Sequence, residues 1–286
     1  MPNSFTNPNS LCTIDELEKL LYAPCVRILD GSFFLPNSGR NPHDGYVQAH
    51  IPGARFFDID QICDLTNPLP HMLPTAEAFA TAVGALGIGN ADRVIVYDQP
   101  GSFAAARVWW TFQVFGHANV AVVDGGLPAW IAAGLPVSDT CLAIEPVEYT
   151  ACFDGSKVRG RADVLAAISN PSLQIVDNRP ASRYAGRDPE PRPTTRRGHV
   201  PGSHSLPFGE FLDAGRHGAW RPKSELTAAF ARAGIDPSRP MIAYCGSGVS
   251  ACTTAFAAHL LGFDTVSVYD GSWSEWGNSD AAPVEQ

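Results

Sequence analysis

The amino-acid sequence predicts an α/β protein built from two tandem domains, each a parallel sheet flanked by helices. The chain has 286 residues, which is enough for two ordinary domains and long for one compact unit. Short runs rich in β-branched residues alternate with helix-like stretches, a pattern typical of parallel sheets with crossover helices. The two halves also resemble each other at a spacing of about 147 residues, and so long a repeat indicates duplicated domains.

The repeat rests on four short blocks that recur in the same order. They pair residues 28–30 with 175–177, 50–54 with 199–203, 94–97 with 241–244, and 122–126 with 268–272. Three kinds of side chain recur with these blocks, and because they stand in both halves we predict that they determine the fold and are not catalytic. They are Asp30 and Asp177, His50 and His199, and Trp130 and Trp276.

The predicted elements follow the same order in both halves. In the first half we predict a helix over 14–21, a strand over 26–29, a strand over 94–97, a helix over 104–115 and a strand over 120–123. In the second half we predict a strand over 241–244, a helix over 251–261 and a strand over 266–269. Residues 138–157 interrupt the pattern with Pro, Glu and Thr. We therefore place the first domain at 10–140, a linker at 141–157 and the second domain at 158–280. The ligand site is expected beyond the carboxyl ends of the strands.

Composition narrows the class of protein. Apolar residues make up 45% of the chain and charged residues 17%, as in soluble globular proteins. No apolar run reaches the ~18 residues typical of a membrane span, and the polar first ten residues lack the basic and apolar parts of a secretory leader. The seven cysteines are an odd number without close pairing. We therefore expect no metal or other cofactor, no membrane partner, and a reducing compartment, either the cytoplasm or, in a eukaryote, the mitochondrion.

The net charge of −9 lies in the first half of the chain. Residues 1–150 carry six Lys and Arg against fifteen Asp and Glu, whereas the second half is balanced. An acidic protein with one local group of arginines argues against nucleic acid as a partner and favours a small anionic ligand. At least half of these arginines are expected only to pair with acidic neighbours such as Asp188 and Glu190. The group comprises Arg179, Arg183, Arg187, Arg192, Arg196 and Arg197.

The strongest chemical signal is a cysteine at the end of a predicted strand. Cys245 opens the loop 245–250, which leads straight into the predicted helix 251–261. Backbone N–H groups of such a loop can converge on an anion, and together with the helix dipole they lower a thiol pKa from ~8.5 to near or below neutrality. Gly246 and Gly248 let the backbone curl around the sulfur. A buried structural cysteine is the alternative, which the glycine-rich loop disfavours. The first half has Asp98 at the matching position, so we predict that only the second domain is catalytic.

These residues resemble those of the rhodanese family, and the resemblance covers nearly the whole chain. An inactive first domain followed by an active second one resembles the two-domain sulfurtransferases of that family. The loop Cys-Gly-Ser-Gly-Val-Ser at 245–250 is similar to that of the branch that uses 3-mercaptopyruvate, whereas the thiosulfate branch typically has Cys-Arg-Lys-Gly-Val-Thr with two cations. Two positions depart from the family pattern: Ser250 stands where Thr is usual, and Phe103 lies near where some members place a tyrosine. Further segments that resemble the mercaptopyruvate branch are 50–54, 56–60, 71–74, 107–110, 190–192 and 270–273.

The resemblance implies a sulfurtransferase with a small anionic sulfur donor. Cys245 would take the sulfur as a persulfide, release pyruvate, and pass the sulfur to cyanide or to a thiol such as thioredoxin or a small thiol. Arg183 and Arg192 match the substrate-binding arginines of the family, and a planar guanidinium suits a carboxylate beside a carbonyl. The remaining substrate contacts would come from the loop at Gly246, Gly248, Val249 and Ser250.

The resemblance also implies a proton relay across the domain cleft. Ser247, His71 and Asp60 match it, and they would take the proton of the substrate thiol and return one to the leaving carbon. The alternative is purely structural, because a serine in a tight loop often bonds backbone and an Asp–His pair often joins two segments.

Three other functions compete with this interpretation. A thiosulfate:cyanide sulfurtransferase is disfavoured by the uncharged residues 246–247. A cysteine phosphatase needs an arginine six positions after the cysteine, where this chain has Ala251. A non-catalytic rhodanese-like binding module is disfavoured because the cysteine and its loop are retained.

Overall fold

Two α/β domains joined by an extended segment form the chain in the computed structural model, which describes residues 4–36, 38–101, 103–263 and 265–286. The predicted fold class is therefore confirmed. The strands of the first domain are β1 Leu11–Cys12, β2 Val26–Asp30, β3 Arg55–Phe56, β4 Arg93–Tyr97 and β5 Val120–Val123. Its helices are α1 Ile14–Leu20, α2 Pro42–Gln48, α3 Ala76–Ala85, α4 Ala105–Val114 and α5 Gly126–Ala132.

The second domain repeats this order with small additions. Its strands are β6 Val158–Arg159, β7 Gln174–Asp177, β8 His204–Ser205, β9 Leu212–Asp213, β10 Ala219–Trp220, β11 Met241–Tyr244 and β12 Val266–Tyr269. Its helices are α6 Arg161–Ile168, α7 Ala181–Tyr184, α8 Lys223–Arg232, α9 Ala251–Leu261 and α10 Ser272–Trp276. Short 3₁₀ turns lie at Pro8–Ser10, Gly155–Lys157, Phe208–Phe211 and Ala214–Arg216.

Each domain contains one five-stranded parallel sheet. The strand orders are β1-β5-β4-β2-β3 and β6-β12-β11-β7-β8, so the two sheets have the same topology. The central strands β4 and β11 are apolar and buried on both faces because helices cover both sides of a parallel sheet. All strands of a sheet end at the same edge, which places the loops after β4 and β11 in matching positions.

The predicted strands and helices agree with the structure to within one residue at each end. The strands β5, β11 and β12 and the helix α9 have the predicted bounds, whereas β2 runs one residue further than predicted. That extra residue, Asp30, pairs with Tyr97 in the register of β2 and β4. Between Ala132 and Gly155 the chain forms no helix or strand of the named set, in agreement with the irregular stretch predicted there.

The residues that recur in both halves form matching contacts. Nδ1 of His50 lies 2.7 Å from the carbonyl of Tyr46, and Nδ1 of His199 lies 2.9 Å from the carbonyl of Tyr184, each a tyrosine of the preceding helix. Trp130 and Trp276 each donate Nε1–H to a proline carbonyl beyond their helix, at 2.7 and 2.8 Å. The tryptophan contacts hold the segment that follows the last helix of each domain, and the histidine contacts lie within the domain. Both agree with a role in the fold.

The contacts between the two domains involve matching positions of the sequence repeat. Helices α4 and α9 pack against each other, with Trp109 edge-on to Phe256 at 4.9 Å between ring centres. A loop of the first domain crosses to the second, where Leu73 N–H donates to Asp270 at 2.7 Å. In return, Trp220 N–H of the second domain donates to Asp124 of the first, also at 2.7 Å. Within the described ranges, no helix is long and apolar enough to cross a membrane.

Candidate active site

Cys245 lies at the floor of a cleft between the two domains. It directly follows β11, and its side chain is almost fully buried, with 2% of the residue exposed. The cleft encloses about 290 Å³. Its first-domain wall is largely aromatic, and the second domain contributes charged side chains and the cysteine loop. Residues of the wall include Phe33, Phe34, Arg40, Phe103, Arg179, Arg183, Glu190, Arg192, Phe208, Gly246, Ser247, Val249 and Ser250.

The backbone of the loop 245–250 is held by the start of α10. Trp273 N–H donates to the carbonyl of Cys245 at 2.9 Å, and Ser274 donates its N–H and its hydroxyl to the carbonyl of Gly246 at 2.9 and 2.7 Å. The hydroxyl of Ser272 accepts the N–H of Cys245 at 3.1 Å. These bonds occupy the carbonyl groups of Cys245 and Gly246. The N–H groups of residues 247–251 have no acceptor within the part of the chain that the structure describes.

The matching loop of the first domain is occupied by a carboxyl group of its own. Burial raises the pKa of Asp98 to about 7, and the hydrogen bonds from the loop oppose that rise because they favour the charged form. The carboxylate of Asp98 accepts hydrogen bonds from the N–H groups of Gly101 and Ala104, each at 2.7 Å, and of Ala105 at 2.9 Å. Gly248 and Ala251 stand at the positions that match Gly101 and Ala104. A loop of this shape therefore binds an anion through backbone N–H groups, and in the second domain it is open to one.

The arginines of the second domain divide into structural and cleft-facing residues. Arg179 is 1% exposed and forms ion pairs with Asp177 at 2.6 Å and Glu190 at 2.8 Å, so its charge is already compensated. Arg183 lies 3.3 Å from the second oxygen of Glu190 and lines the cleft. Arg196 donates to backbone carbonyls near the carboxyl end of the chain. Arg179 and Arg183 thus follow the predicted pairing with an acidic neighbour.

Arg192 lies between two of the residues predicted for the relay. Its Nη1 is 3.3 Å from the hydroxyl of Ser247, and its Nη2 is 2.9 Å from Nε2 of His71. Ser247 and His71 therefore approach each other through the guanidinium of Arg192. The structure brings together all the predicted side chains of the relay. Arg192, a predicted substrate-binding residue, lies between Ser247 and His71.

His71 is held as a neutral imidazole with a defined tautomer. A guanidinium only donates, so Nε2 of His71 accepts from Arg192 and the proton resides on Nδ1. Nδ1 lies 3.0 Å from Oδ1 of Asp60, whose pKa is lowered chiefly by this contact. Burial lowers the pKa of His71 below its usual 6.5, the nearby charge of Arg192 acts in the same direction, and Asp60 opposes both. The Nε2 lone pair that meets Arg192 therefore belongs to a base that is unprotonated at neutral pH.

The remaining sequence candidates lie at the same cleft. Gly246, Val249 and Ser250 line it, and Gly248 takes a left-handed conformation with φ of 78° inside the loop. Phe103 packs 5.4 Å from Phe208 at the wall. In the described ranges, no group of three or more His, Cys, Asp or Glu side chains is placed to hold a metal ion.

Sequence reasoning missed several parts of this site. Glu190 was expected to pair with an arginine, but the burial of its side chain and its simultaneous pairing with Arg179 and Arg183 were not foreseen. Phe33 packs edge-on to the ring of His71 at 5.0 Å. No local pattern signals either contact, because both depend on segments that meet only in the folded chain.

Cys245 is buried in a loop with open N–H groups, Arg183 and Arg192 line the same cleft, and the neutral His71 of the first domain bonds to Arg192. This arrangement is that of a thiol enzyme. The model of the rhodanese-like domain matches residues 13–133 and 161–279, and the chain belongs to the rhodanese family. That match includes both halves of the repeat, with Asp98 in one and Cys245 in the other.

Characterised relatives cover most of the chain. It is 42% identical over 253 residues to 3-mercaptopyruvate sulfurtransferase of Rattus norvegicus, covering 88% of this chain and 84% of that protein. It is 43% identical over 256 residues to thiosulfate sulfurtransferase of Cricetulus griseus, covering 88% and 85%. The crystal structure of SseA from Escherichia coli, a 3-mercaptopyruvate sulfotransferase with the rhodanese fold, superposes with a TM-score of 0.85 at 36% identity, covering 92% of this chain and 98% of that one. Overall identity is thus similar for relatives with different donors, so the donor has to be argued from the site.

Proposed function

We propose that this chain is a 3-mercaptopyruvate sulfurtransferase that carries sulfur as a persulfide on Cys245. One observation carries the proposal: the loop around Cys245 has open N–H groups at the positions that bind the Asp98 carboxylate in the first domain. A persulfide is an anion fixed to the cysteine, and the open N–H groups suit its outer sulfur. Asp98 fills the first-domain loop and has no sulfur, so only the second domain takes part in the chemistry.

The reaction proceeds in two displacements at sulfur. The thiolate of Cys245 attacks the sulfur of 3-mercaptopyruvate, an S–S bond forms, and the C–S bond of the donor breaks. The electron pair of that bond stays on carbon as the enolate of pyruvate, which takes up a proton and leaves. An acceptor thiolate then attacks the outer sulfur of the persulfide, and Cys245 departs as the thiolate.

Arg192 and Arg183 supply the positive charge that the donor needs. The carboxylate and carbonyl oxygens of 3-mercaptopyruvate form a planar group that a guanidinium binds with two N–H groups. When Arg192 turns to that carboxylate, its contacts with Ser247 and His71 are released. The Nε2 lone pair of His71 is then free to take the proton of the donor thiol, directly or through Ser247, and to return it to the enolate carbon. Asp60 holds the ring in the orientation that this exchange requires.

The charge distribution near Cys245 favours this donor over thiosulfate. Residues 246–247 are uncharged, so no cation stands in the loop to meet a compact dianion. A Cβ atom at Gly246 would lie 3.7 Å from a carboxylate oxygen of Glu190, which pairs with Arg179 and Arg183, so the charges of these two arginines are partly compensated there. The thiosulfate sulfurtransferase alternative is disfavoured for this reason. The open cysteine loop in a formed cleft likewise disfavours a non-catalytic binding module.

The acceptor and the compartment follow from the same chemistry. A thiol such as that of thioredoxin or of a small molecule accepts the sulfur, and cyanide is the alternative acceptor. All seven cysteines are free, which suits a reducing compartment, the cytoplasm or the mitochondrion. We propose domain bounds of 10–140 and 158–280, with a linker at 141–157.

The test is the ratio of kcat/KM for 3-mercaptopyruvate and thiosulfate with a common thiol acceptor. We expect 3-mercaptopyruvate to be preferred by at least tenfold. A preference for thiosulfate would contradict the choice of donor, and no transfer from either donor would contradict sulfurtransfer altogether.

A further inference from the structure

A single buried guanidinium connects the two sides of the cleft. Arg107 projects from α4 of the first domain and is 3% exposed. Its Nη2 donates to the carbonyl of His71. Its Nη1 donates to the carboxylate of Asp270 at 2.7 Å and to the carbonyl of Gly248 at 3.2 Å. Arg107 therefore binds His71, the loop that contains Cys245, and Asp270.

The residues that accept these bonds have unusual backbone conformations. His71 has φ of 60° and Gly248 has φ of 78°, so both lie in the left-handed region. That conformation is costly for a histidine, and the surrounding contacts have to maintain it. Gly248 is also needed for space, because a Cβ atom there would lie 2.7 Å from the carbonyl of Asp270 and 3.2 Å from Nη1 of Arg107.

Asp270 completes the connection from the other side. One of its oxygens pairs with Arg107, and the other accepts the N–H of Leu73 at 2.7 Å. The segment that follows His71 and the guanidinium that holds its carbonyl are thus fixed to the same carboxylate. Both partners are nearly inaccessible to water, with 4% and 3% of the side chains exposed, so removal of either one leaves a buried charge.

The repeat shows that this guanidinium is specific to the catalytic side. Asp124 matches Asp270 and accepts the N–H of Trp220 in the same way. The position that matches Arg107 is Thr254, whose hydroxyl accepts from Asn178 at 2.6 Å within the second domain. The interdomain carboxylate is therefore common to both sides. Asp124 is 3.6 Å from the exposed guanidinium of Arg216, whereas the guanidinium beside Asp270 is buried and also contacts the loop that contains Cys245.

We infer that Arg107 is a positioning residue that sets the relation between His71 and the cysteine loop across the domain boundary. It touches neither the donor nor the sulfur, and the inference rests on the proposed function. The planar fork of arginine is essential, because one group has to reach two carbonyls and a carboxylate in fixed directions. A lysine at this position keeps the charge next to Asp270 but lacks the planar guanidinium.

The test compares Arg107→Lys with Asp124→Asn, which removes the charge of the matching interdomain carboxylate on the side without a cysteine. For Arg107→Lys we expect kcat with 3-mercaptopyruvate to fall at least tenfold. The rate is expressed per molecule whose Cys245 can be loaded with sulfur, so that inactive protein does not count. The reason is that a shift of about 1 Å in a reacting group lowers rates by up to ~10²-fold. KM should change by less than about threefold, because Arg183 and Arg192 remain. Asp124→Asn should retain the kcat of the wild type.

A double change guards against loss of the fold. Arg107→Met with Asp270→Asn removes both buried charges at similar volume, so the protein should remain folded while kcat stays low. Hydrogen exchange at the amide of Leu73 gives a readout that needs no donor, and it should be faster in Arg107→Lys than in Asp124→Asn. Wild-type kcat together with unchanged exchange at Leu73 in Arg107→Lys would overturn the inference. Failure of the wild type to accept sulfur would instead overturn the proposed function, while the exchange rates still decide the role of Arg107.

Discussion

Replacing Arg192 with alanine is the sharpest test of how the site binds its donor. The guanidinium contacts Ser247 at 3.3 Å and His71 at 2.9 Å, and we assign it the donor carboxylate during the reaction. Loss of one charge-assisted hydrogen bond costs about 1.5–3 kcal/mol. At about 1.4 kcal/mol per tenfold change, kcat/KM for 3-mercaptopyruvate should fall roughly ten- to 150-fold. The kcat/KM of Arg192→Lys should lie between those of the wild type and Arg192→Ala, because lysine keeps the charge but lacks the planar guanidinium.

The same substitution has a second effect that separates binding from acid–base chemistry. The charge of Arg192 helps to lower the pKa of His71, so its removal should raise that pKa. The acid limb of the pH profile of kcat/KM should therefore move to higher pH in Arg192→Ala. Steady-state rates with a saturating thiol acceptor, measured between about pH 5 and pH 8.5, report both effects.

The matched control is Arg187→Ala, which removes an exposed arginine from the same segment outside the cleft. It should retain the wild-type kcat/KM and the wild-type pH profile. The reasoning is refuted if Arg192→Ala stays within about threefold of the wild type, or if Arg187→Ala loses as much activity.

Two further predictions concern the base and the loop. The depressed pKa of His71 leaves it neutral at pH 7, so wild-type kcat/KM should fall only as the pH drops below 6.5. In His71→Asn this acid limb should disappear and kcat should fall by about 10²–10⁴, the usual contribution of a general base; an unchanged limb would assign it to another group. Gly246→Arg combined with Ser247→Lys should raise the thiosulfate to 3-mercaptopyruvate ratio of kcat/KM at least tenfold, because it places cations beside Cys245. A ratio that does not move in this variant would show that charge in the loop is not the selector.

The sequence predicts the architecture well because local patterns determine it. The strand β11 is a continuous apolar run, as a central strand buried on both faces requires, and α9 ends at Gly262, which has φ of 83°. The recurrence of a strand, a helix and a second strand in both halves supports the assignment of these elements. The cysteine loop was also predictable, because Asp98 and Cys245 follow matching strands.

The connections across the domain boundary could not be predicted in the same way. Arg107 and Asp270 are 163 residues apart, and no periodicity relates them. The recurrence of Asp124 at the position of Asp270 was visible in the sequence, but the partners of the two carboxylates depend on how the domains pack. The insertion of Arg192 between Ser247 and His71 likewise depends on the packing of three separate segments.

The most direct test of the central claim is the intact mass of the protein after incubation with 3-mercaptopyruvate and no acceptor. The mass should increase by one sulfur atom, peptide mapping should place it on Cys245, and a thiol should remove it. The neighbouring Cys252 is an unsuitable carrier, because burial raises its pKa and its sulfur lies 3.3 Å from the carbonyl of Gly248. Cys152→Ser, which changes an exposed cysteine, should load sulfur as the wild type does. Cys245→Ser should gain no sulfur, and a stable gain of sulfur by that variant would contradict the account.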